Sequence, residues 1–558
     1  MPTLHFKGKT FVQNHHLAVK YHQLVPKAEL SLTDKVSLHD NLIIQGDNLK
    51  ALKALLPTYA GKVKCIYIDP PYNTGNEKWV YNDNVNSPMI KEWLGSVVDK
   101  EDMTRHDKWL CMMMPRLKLL RELLSEDGAI FISCDDNENY HLRCLLDEIF
   151  SADNFVANIT VKANPRGRQS DNNVATLHDT LFIYAKNNQF FELDGLPLTQ
   201  EDIEDFDKQD EDGKMWRELG LRQRGAASLR TDRPDMFFPI FVNPNDCSVS
   251  LTKSKTHSIE VLPKKSDGRE GRWMWGLDKT KNEVNRVYAR LIHRRNEYDI
   301  FIKDYLDRND EQRTKKPRSI WIDKDVNTEA GGKLLKQIFP DSKFPYPKPL
   351  GLLIKVLQIG TDKNSIILDS FAGSGTTAHA VLELNKEDGG NRKFILVEQE
   401  DYANTITAER VRRVIKGVKT AKSDLLKKGT GGSFSYFELG DTIEMESLLR
   451  GKNLPSFTEF ARYLFYTATG EEFNEKAINE KTGFIGESKN YEVYLFYKPD
   501  LEWLKKNALT LEICQSLPKF KNKQRLVFAP AKYVDDHTLL DYRIDFCQLP
   551  YEIYRIQK

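Results

Sequence analysis

The chain has 558 residues, too many for one hydrophobic core, and at ~100–200 residues per domain it should fold as three or four units. Lysine and arginine total 82 against 81 acidic residues, a formal charge of +1 that gives no overall case for nucleic-acid binding but leaves room for a local basic face. No stretch is apolar for long enough to cross a bilayer, and Met1 to Lys7 lack a secretory core. The seven cysteines, odd in number and without a Cys-x-x-Cys pair, exclude zinc knuckles and a disulfide framework. A soluble, cytoplasmic protein without membrane contact is therefore expected.

Residues 1–40 say little. Their pair His15-His16 reads as surface rather than metal ligation, because no spaced third ligand accompanies it, and no metal is expected anywhere. A strand over 42–45 leads into Gly46-Asp47-Asn48, and a second apolar strand over 63–68 delivers Asp69-Pro70-Pro71-Tyr72. A carboxylate at a strand end accepts a hydrogen bond from an exocyclic amine, the prolines stiffen the turn and expose the Pro70 carbonyl as a second acceptor, and Tyr72 offers a flat face for a base. Two acceptors aimed at an amine whose lone pair is delocalised favour the pyramidal nitrogen needed for attack on a methyl group. A helix over about 107–124 follows, with Trp109, Met113, Leu117, Leu120 and Leu124 at helical spacing for packing on a sheet, and then a strand over 129–133.

From about 155 to 340 the chain turns charged and is broken by Pro and Gly. Basic clusters stand at Lys162 to Arg168, including Arg166, at Arg222 and Arg224, and at Lys264 to Arg272 ahead of Trp273 and Trp275. Over 283–297 the spacing of Val284, Val287, Tyr288 and Leu291 predicts a helix whose other face carries Arg286, Arg290 and Arg294. This segment is expected to read DNA, with arginines shared between phosphates and guanine edges.

The run Phe344-Pro-Tyr-Pro-Lys348-Pro349 precedes a second motif. There an apolar strand over 366–369 ends in Asp369-Ser-Phe371-Ala372-Gly373-Ser374-Gly375-Thr376, a helix begins near Ala378, and another strand over 394–397 ends at Glu398. Glycines 373 and 375 let a ligand approach the backbone and leave helix N-terminal NH groups aimed at an anion, and Glu398 stands where an acid grips a ribose diol. Thr376 stands where a Walker loop needs lysine, which argues against ATP. The spacing Gly373-x-Gly375-x-x-Ala378 by itself suits either NAD or S-adenosylmethionine. Asp369 and Phe371 favour S-adenosylmethionine, since an acid before the turn can hold the methionine ammonium and the Asp69 tetrad has no use in hydride transfer. Cys65 and Cys547 read as small core residues rather than as nucleophiles for carbon methylation.

Lys416 to Lys428 reads as a lysine-rich linker into a small α/β appendage, with strands at 492–497 and 525–529, helical pieces around 457–465 and 500–506, and no catalytic constellation.

On Asp69-Pro70-Pro71-Tyr72, the loop Phe371-Ala372-Gly373-Ser374-Gly375, Gly46-Asp47-Asn48 and Phe344 to Pro349, the chain resembles the amino-methylating DNA methyltransferases, specifically the adenine-N6 modification subunits of type III restriction-modification systems. The resemblance implies that the tetrad is catalytic and the glycine loop binds S-adenosylmethionine. It also implies that Asp47 and Asn48 meet the cofactor adenine and that Lys348 and Pro349 lie near its methionine end. Tetrad before loop resembles the permuted beta class. The implied fold is a permuted Rossmann-like sheet (41–154 and 341–420), preceded by an extension (1–40), interrupted by a target-recognition domain (155–340) and followed by a C-terminal partner or dimer domain (421–558). The implied activity is methylation of N6 of a flipped-out adenine in double-stranded DNA, the acid at Asp69 favouring adenine, by a homodimer that partners a restriction subunit. Alternatives are a cytosine-N4 or RNA amino-methyltransferase, or a recognition module for a nuclease partner.

Overall fold

A computed structural model describes residues 3–73, 105–167, 173–308, 311–342, 344–443, 454–471, 473–518 and 523–549. It forms two compact units, one made of Met1–Asp194 with Arg318–Lys558 and the other of Gly195–Pro317.

The first unit is α/β and is organised by a ten-stranded mixed sheet. Its strands are β1 (His22–Pro26), β2 (Leu42–Gln45), β3 (Val63–Ile68), β4 (Leu124–Cys134), β5 (Phe155–Val161), β6 (Asp179–Ala185), β7 (Ile320–Trp321), β8 (Ile366–Asp369), β9 (Lys393–Glu398) and β10 (Ser435–Thr442). They lie in the order β1-β10-β2-β9-β8-β3-β4-β6-β5-β7. The neighbours from β10 through β4 run parallel, while β1, at one end, and the β4-β6 and β6-β5 pairs are antiparallel. Parallel strands covered on both faces need apolar side chains at successive positions, and Leu42-Ile-Ile, Cys65 to Ile68 and Ile367-Leu368 are fully buried or nearly so.

Helices cover the faces: α1 (Asn48–Tyr59), α2 (Arg105–Leu123), α3 (Asn139–Phe150), α4 (Leu350–Gly360), α5 (Thr376–Asp388) and α6 (Glu409–Lys416). The expected stripe of α2 does pack on the sheet, since Trp109, Met113, Leu117 and Leu120 are buried, but Leu124 already begins β4. In β8 and β3, Ile367 pairs with Cys65 and Leu368 with Ile66. Asp69 and Asp369, 300 positions apart in the chain, therefore leave the carboxyl ends of neighbouring strands, where ligands bind in such sheets.

Several boundaries move. Strands β5, β6 and β7 belong to the large sheet, so the inserted unit contracts from 155–340 to Gly195–Pro317. Residues 416–428 are not an extended linker: Val418 NH bonds the Leu426 carbonyl, Ala421 and Leu426 are buried, and the chain then adds β10 beside β2. Strand β1 pairs with β10, which makes residues 22–26 part of the sheet, and His16 is buried rather than at the surface. Beyond them, strands Phe484–Glu487, Tyr491–Leu495, Gln524–Ala529 and Ile544–Gln548 form a separate sheet, with helices Phe457–Thr469 and Leu501–Lys506. No described helix is long and apolar enough to cross a membrane.

The inserted unit is mainly β. The helix expected over 283–297 is a hairpin of Val287–Ile292 against Glu297–Tyr305, Val287 pairing with Ile302 and Ile292 with Glu297. Val287 and Ala289 point into a core with Ile300, Ile302 and Trp273, so the operative period is two and not 3.6. Arg286, Arg290 and Arg294 consequently do not share a helical face: Arg286 precedes the strand, Arg290 lies on it and Arg294 sits in the turn.

Candidate active site

Asp69, Pro70, Pro71 and Tyr72 leave β3 as an extended turn packed against α2, where the Trp109 indole NH donates to the Pro71 carbonyl at 2.6 Å. Among the described residues none donates a hydrogen bond to the Pro70 carbonyl. Tyr72 is mostly buried, and burial together with the Asp69 and Asp179 carboxylates pushes its phenol well above its ordinary pKa, so it remains a neutral donor.

Lys348 occupies the centre of this arrangement. Its ammonium lies 3.0 Å from Asp69 Oδ1 and 3.7 Å from Asp179 Oδ2, donates to the Tyr72 hydroxyl at 2.6 Å, and stands 4.8 Å from the Tyr72 ring centre. Burial alone would lower its pKa, but Asp69 and Asp179 outweigh it and hold the ammonium charged. Lys348 thus touches the tetrad itself while also lining the glycine-loop cleft. Its neighbour Pro349 lines a smaller cleft on the other side, with Asp179, Thr180 and Ser133. Nothing in the sequence marked Asp179, which arrives on β6.

On the cofactor side, a cleft brings together Asp69, Lys348, Asp369, Phe371, Gly373 and Thr376, with Ala372, Ser374 and the aromatic residues Phe344 and Tyr346. Gly373 and Gly375 have φ of 52° and 77°, and a side chain at Gly375 would press on the Thr407 carbonyl at 3.1 Å. Asp369 accepts from Phe371 NH at 3.0 Å and from the Thr377 hydroxyl, yet burial raises its pKa to about 7 against those bonds, with Asp69 adding to the rise. A buried acid that gains from a cationic neighbour, beside aromatic faces and the NH groups of α5, fits a ligand bearing an ammonium, a sulfonium and an aromatic base.

Three expected cofactor contacts are engaged within the protein. Glu398 does not line the cleft; its carboxylate takes Gly373 NH at 2.7 Å and Glu400 NH at 3.1 Å, and burial lifts its pKa to about 8. Asp47 caps α1 through Lys50 NH and lies 3.7 Å from Arg116. Asn48 is buried, donates to the Ser370 carbonyl at 3.0 Å and accepts from Arg116 at 2.5 Å. In this geometry Glu398 and Asn48 shape the loop around Asp369 and Gly373. Below the loop lies a residue that sequence reasoning missed, Arg410. Its fully buried guanidinium donates to Ser374 Oγ at 2.9 Å and Thr376 Oγ1 at 2.7 Å, and desolvation lowers its pKa to about 9.

The candidate DNA-binding arginines separate into two groups. Arg222 is bound to the Lys264 carbonyl and lies 3.5 Å from Asp299; Arg286 is bound to Glu283 and the Lys303 carbonyl; Arg290 lies 2.8 Å from Glu218 over the Phe301 ring. Arg224 and Arg294 are exposed and have no ion pair among the described residues. Arg166 is exposed and lies 3.6 Å from Glu329, and Arg168 lies outside the described residues. Five of the seven cysteines are buried and all are free; burial pushes the Cys65 and Cys134 thiols up, which suits core residues and not nucleophiles.

A family model described as DNA methylase, covering the N6 and N4 methyltransferases, matches residues 63–409. The type III restriction-modification enzyme EcoPI Mod subunit of Escherichia phage P1 is 35% identical over 424 residues, 70% of this chain and 64% of that protein. The type II methyltransferase M.KpnI of Klebsiella pneumoniae is 36% identical over 353 residues, 63% of this chain and 79% of that protein. The StyLTI Mod subunit of Salmonella typhimurium is 31% identical over 72% of this chain and 59% of its own length, so the chain spans less than two thirds of either Mod subunit.

Proposed function

The chain belongs to the DNA methylase family of N6 and N4 amino-methyltransferases and is similar to type III Mod subunits, and from that premise we propose that it methylates N6 of an adenine flipped out of duplex DNA. Its cofactor is S-adenosylmethionine, which when bound supplies an electrophilic sulfonium methyl group and a good leaving group. Asp369, Phe371, Ala372, Gly373, Ser374, Gly375 and Thr376 would hold it, the Asp369 carboxylate facing its ammonium and the α5 NH groups its carboxylate.

The observation that carries the reading is the convergence of Asp69 and Tyr72 with Lys348 at the rim of the glycine-loop cleft. Asp69 and the Pro70 carbonyl accept the two hydrogens of the base amine and favour its pyramidal form, and Tyr72 stacks on the ring. Lys348 fixes the orientation of Asp69 and Tyr72 before the base arrives, which removes reorganisation from the reaction. The amine proton passes to water after transfer, so no residue is assigned as a dedicated base.

The order of tetrad before loop supports the permuted beta arrangement, and Gly195–Pro317 is its target-recognition unit. Adenine rather than cytosine rests on the acid at Asp69. By likeness to the Mod subunits the protein is a modification subunit that works with a restriction subunit, and a homodimer is the assembly expected for it. Single-molecule sequencing of DNA from cells with and without the protein tests this: N6-methyladenine in one sequence context is expected, and N4-methylcytosine or no mark would reject it.

A further inference from the structure

Away from the cleft, three metal-ligating side chains converge where two helices begin. His106 stands in the first turn of α2, Glu138 immediately precedes α3 and His141 lies in its first turn. His106 Nδ1 is 2.8 Å from Glu138 Oε1, His141 Nδ1 is 3.1 Å from Glu138 Oε2, and the imidazole centres are 4.7 Å apart. One ligand atom from each residue lies within 4.8 Å of the others. The glutamate is wholly buried while both imidazoles are 33% exposed, so an ion has a path in from solvent.

Two atoms separate this cluster from a hydrogen-bonded triad. Glu138 Oε2 and His141 Nδ1 are buried and face each other at 3.1 Å, yet neither has a hydrogen-bond partner among the described residues. A buried carboxylate oxygen without a partner is costly, and either an N–H on the facing imidazole nitrogen or a cation between the two atoms would relieve it. Donors ~2.1 Å from one metal ion, at tetrahedral or octahedral angles, stand roughly 3.0–3.4 Å apart; the 3.1 Å between Glu138 Oε2 and His141 Nδ1 falls in that range, the 2.8 Å between His106 and Glu138 is slightly shorter, and the three ligand atoms, within 4.8 Å of one another, would adjust around an ion. Glu138 Oε1 is further held by Asn73 Nδ2 at 2.5 Å, the kind of outer hydrogen bond that orients a ligating carboxylate. Asn73 directly follows Tyr72, has a φ of 57° and also donates to the Arg105 carbonyl. Two imidazoles and one carboxylate suit divalent first-row transition metals better than Mg2+ or Ca2+, which prefer all-oxygen sites.

We propose that His106, Glu138 and His141 form a site for a divalent transition-metal ion, such as Zn2+, which ties the residues after the catalytic tetrad to the starts of α2 and α3. The ion has an open coordination position, but its role is to clamp Asn73, and through it Tyr72, rather than to take part in methyl transfer.

Co2+ titrated into the metal-stripped full chain is the probe, with Zn2+ as competitor. About one ion per chain should bind, with visible d–d absorption, without the near-ultraviolet band of a thiolate ligand, and with displacement by Zn2+. His106→Gln keeps a donor for Glu138 and so preserves metal-free stability, but it should weaken binding at least about tenfold, as should His141→Ala and, through the outer bond, Asn73→Ala. Zn2+ should raise the Tm of the wild type and of a His537→Ala control, but not of His106→Gln. Absence of binding, binding unchanged in both histidine variants, or a thiolate band accompanying the bound ion would each overturn the proposal.

Discussion

Lys348→Met removes one charge and keeps the volume of the stem, and its consequences follow from three distances. The ammonium is 3.0 Å from Asp69, 3.7 Å from Asp179 and 2.6 Å from the Tyr72 hydroxyl, with about a fifth of each charged side chain exposed. At an effective dielectric of about 20 the two ion pairs are each worth roughly 5 kcal/mol before desolvation. Breaking a fully buried pair costs about 3–5 kcal/mol and an exposed one under about 1, so partial exposure here places the loss near 2–4 kcal/mol of stability. The kinetic loss is larger in consequence, because Asp69 and Tyr72 lose the group that orients them together; removal of one preorganised electrostatic contact costs about 10²–10³ in kcat. Denaturant unfolding, calorimetric titration with S-adenosylmethionine and a tritiated-methyl transfer assay separate these effects. Methylation should collapse while cofactor affinity changes less than about tenfold. A variant that methylates DNA at close to the wild-type rate would refute the orienting role, and one that loses cofactor binding first would return Lys348 to the methionine end of the cofactor.

Asp369 and Glu398 have folded pKa values of about 7 and 8, above those of the unfolded chain, so stability falls as pH rises from about 4 toward those values and levels off once pH has passed them. Without cofactor the chain should lose roughly 2–4 kcal/mol between pH 6 and pH 8.5 in urea denaturation, less in Asp369→Asn, and a loss equal in that variant would remove Asp369 as a source. Cofactor binding near pH 7 should release protons, measurable by calorimetry in buffers of different ionisation enthalpy; no buffer dependence would show that Asp369 does not meet the ammonium. Tyr72→Ala should weaken productive base binding by about 1–3 kcal/mol while Tyr72→Phe retains the stacking share; equal losses would assign the effect to the hydroxyl on Lys348. Arg224→Ala and Arg294→Ala should each lower the slope of log affinity against log salt by about 1, whereas Arg290→Ala, already held by Glu218, should act mainly on stability; the reverse ranking would move the interface.

Much of the sheet was legible because buried parallel strands spell uninterrupted apolar runs: 42–45, 63–68 and 366–369 lie where their residues indicate. The segment 283–297 was not, since Val284, Val287, Tyr288 and Leu291 satisfy helical spacing while Val287 and Ala289 also satisfy alternation. What decided it was long-range pairing with Ile300 and Ile302 and a turn closed by Asn296 at φ 53°, neither visible in a window of one element. Lysines between 416 and 428 suggested a linker because charge dominates the composition, yet two apolar anchors, Ala421 and Leu426, hold that stretch down. In the site, the tetrad and glycine loop announced themselves through residue types at the ends of strands. The contacts that orient them did not, even for Lys348 and Asn48, which resemblance singled out for the cofactor: Lys348 lies 276 residues from Tyr72, Asn48 322 residues from Ser370, and Arg410, unmarked in the sequence, 36 residues from Ser374. Such contacts belong to the closed sheet and to no local pattern.

The role proposed for Asp69 is to present an adenine amine for methylation. Purified protein, duplex DNA and tritiated-methyl S-adenosylmethionine, followed by digestion to nucleosides, put that claim to a direct test alongside Asp69→Ala. Label is expected in N6-methyladenine with the wild type, and none above background with the variant, which still binds cofactor. Label in N4-methylcytosine, or undiminished label with Asp69→Ala, would contradict it.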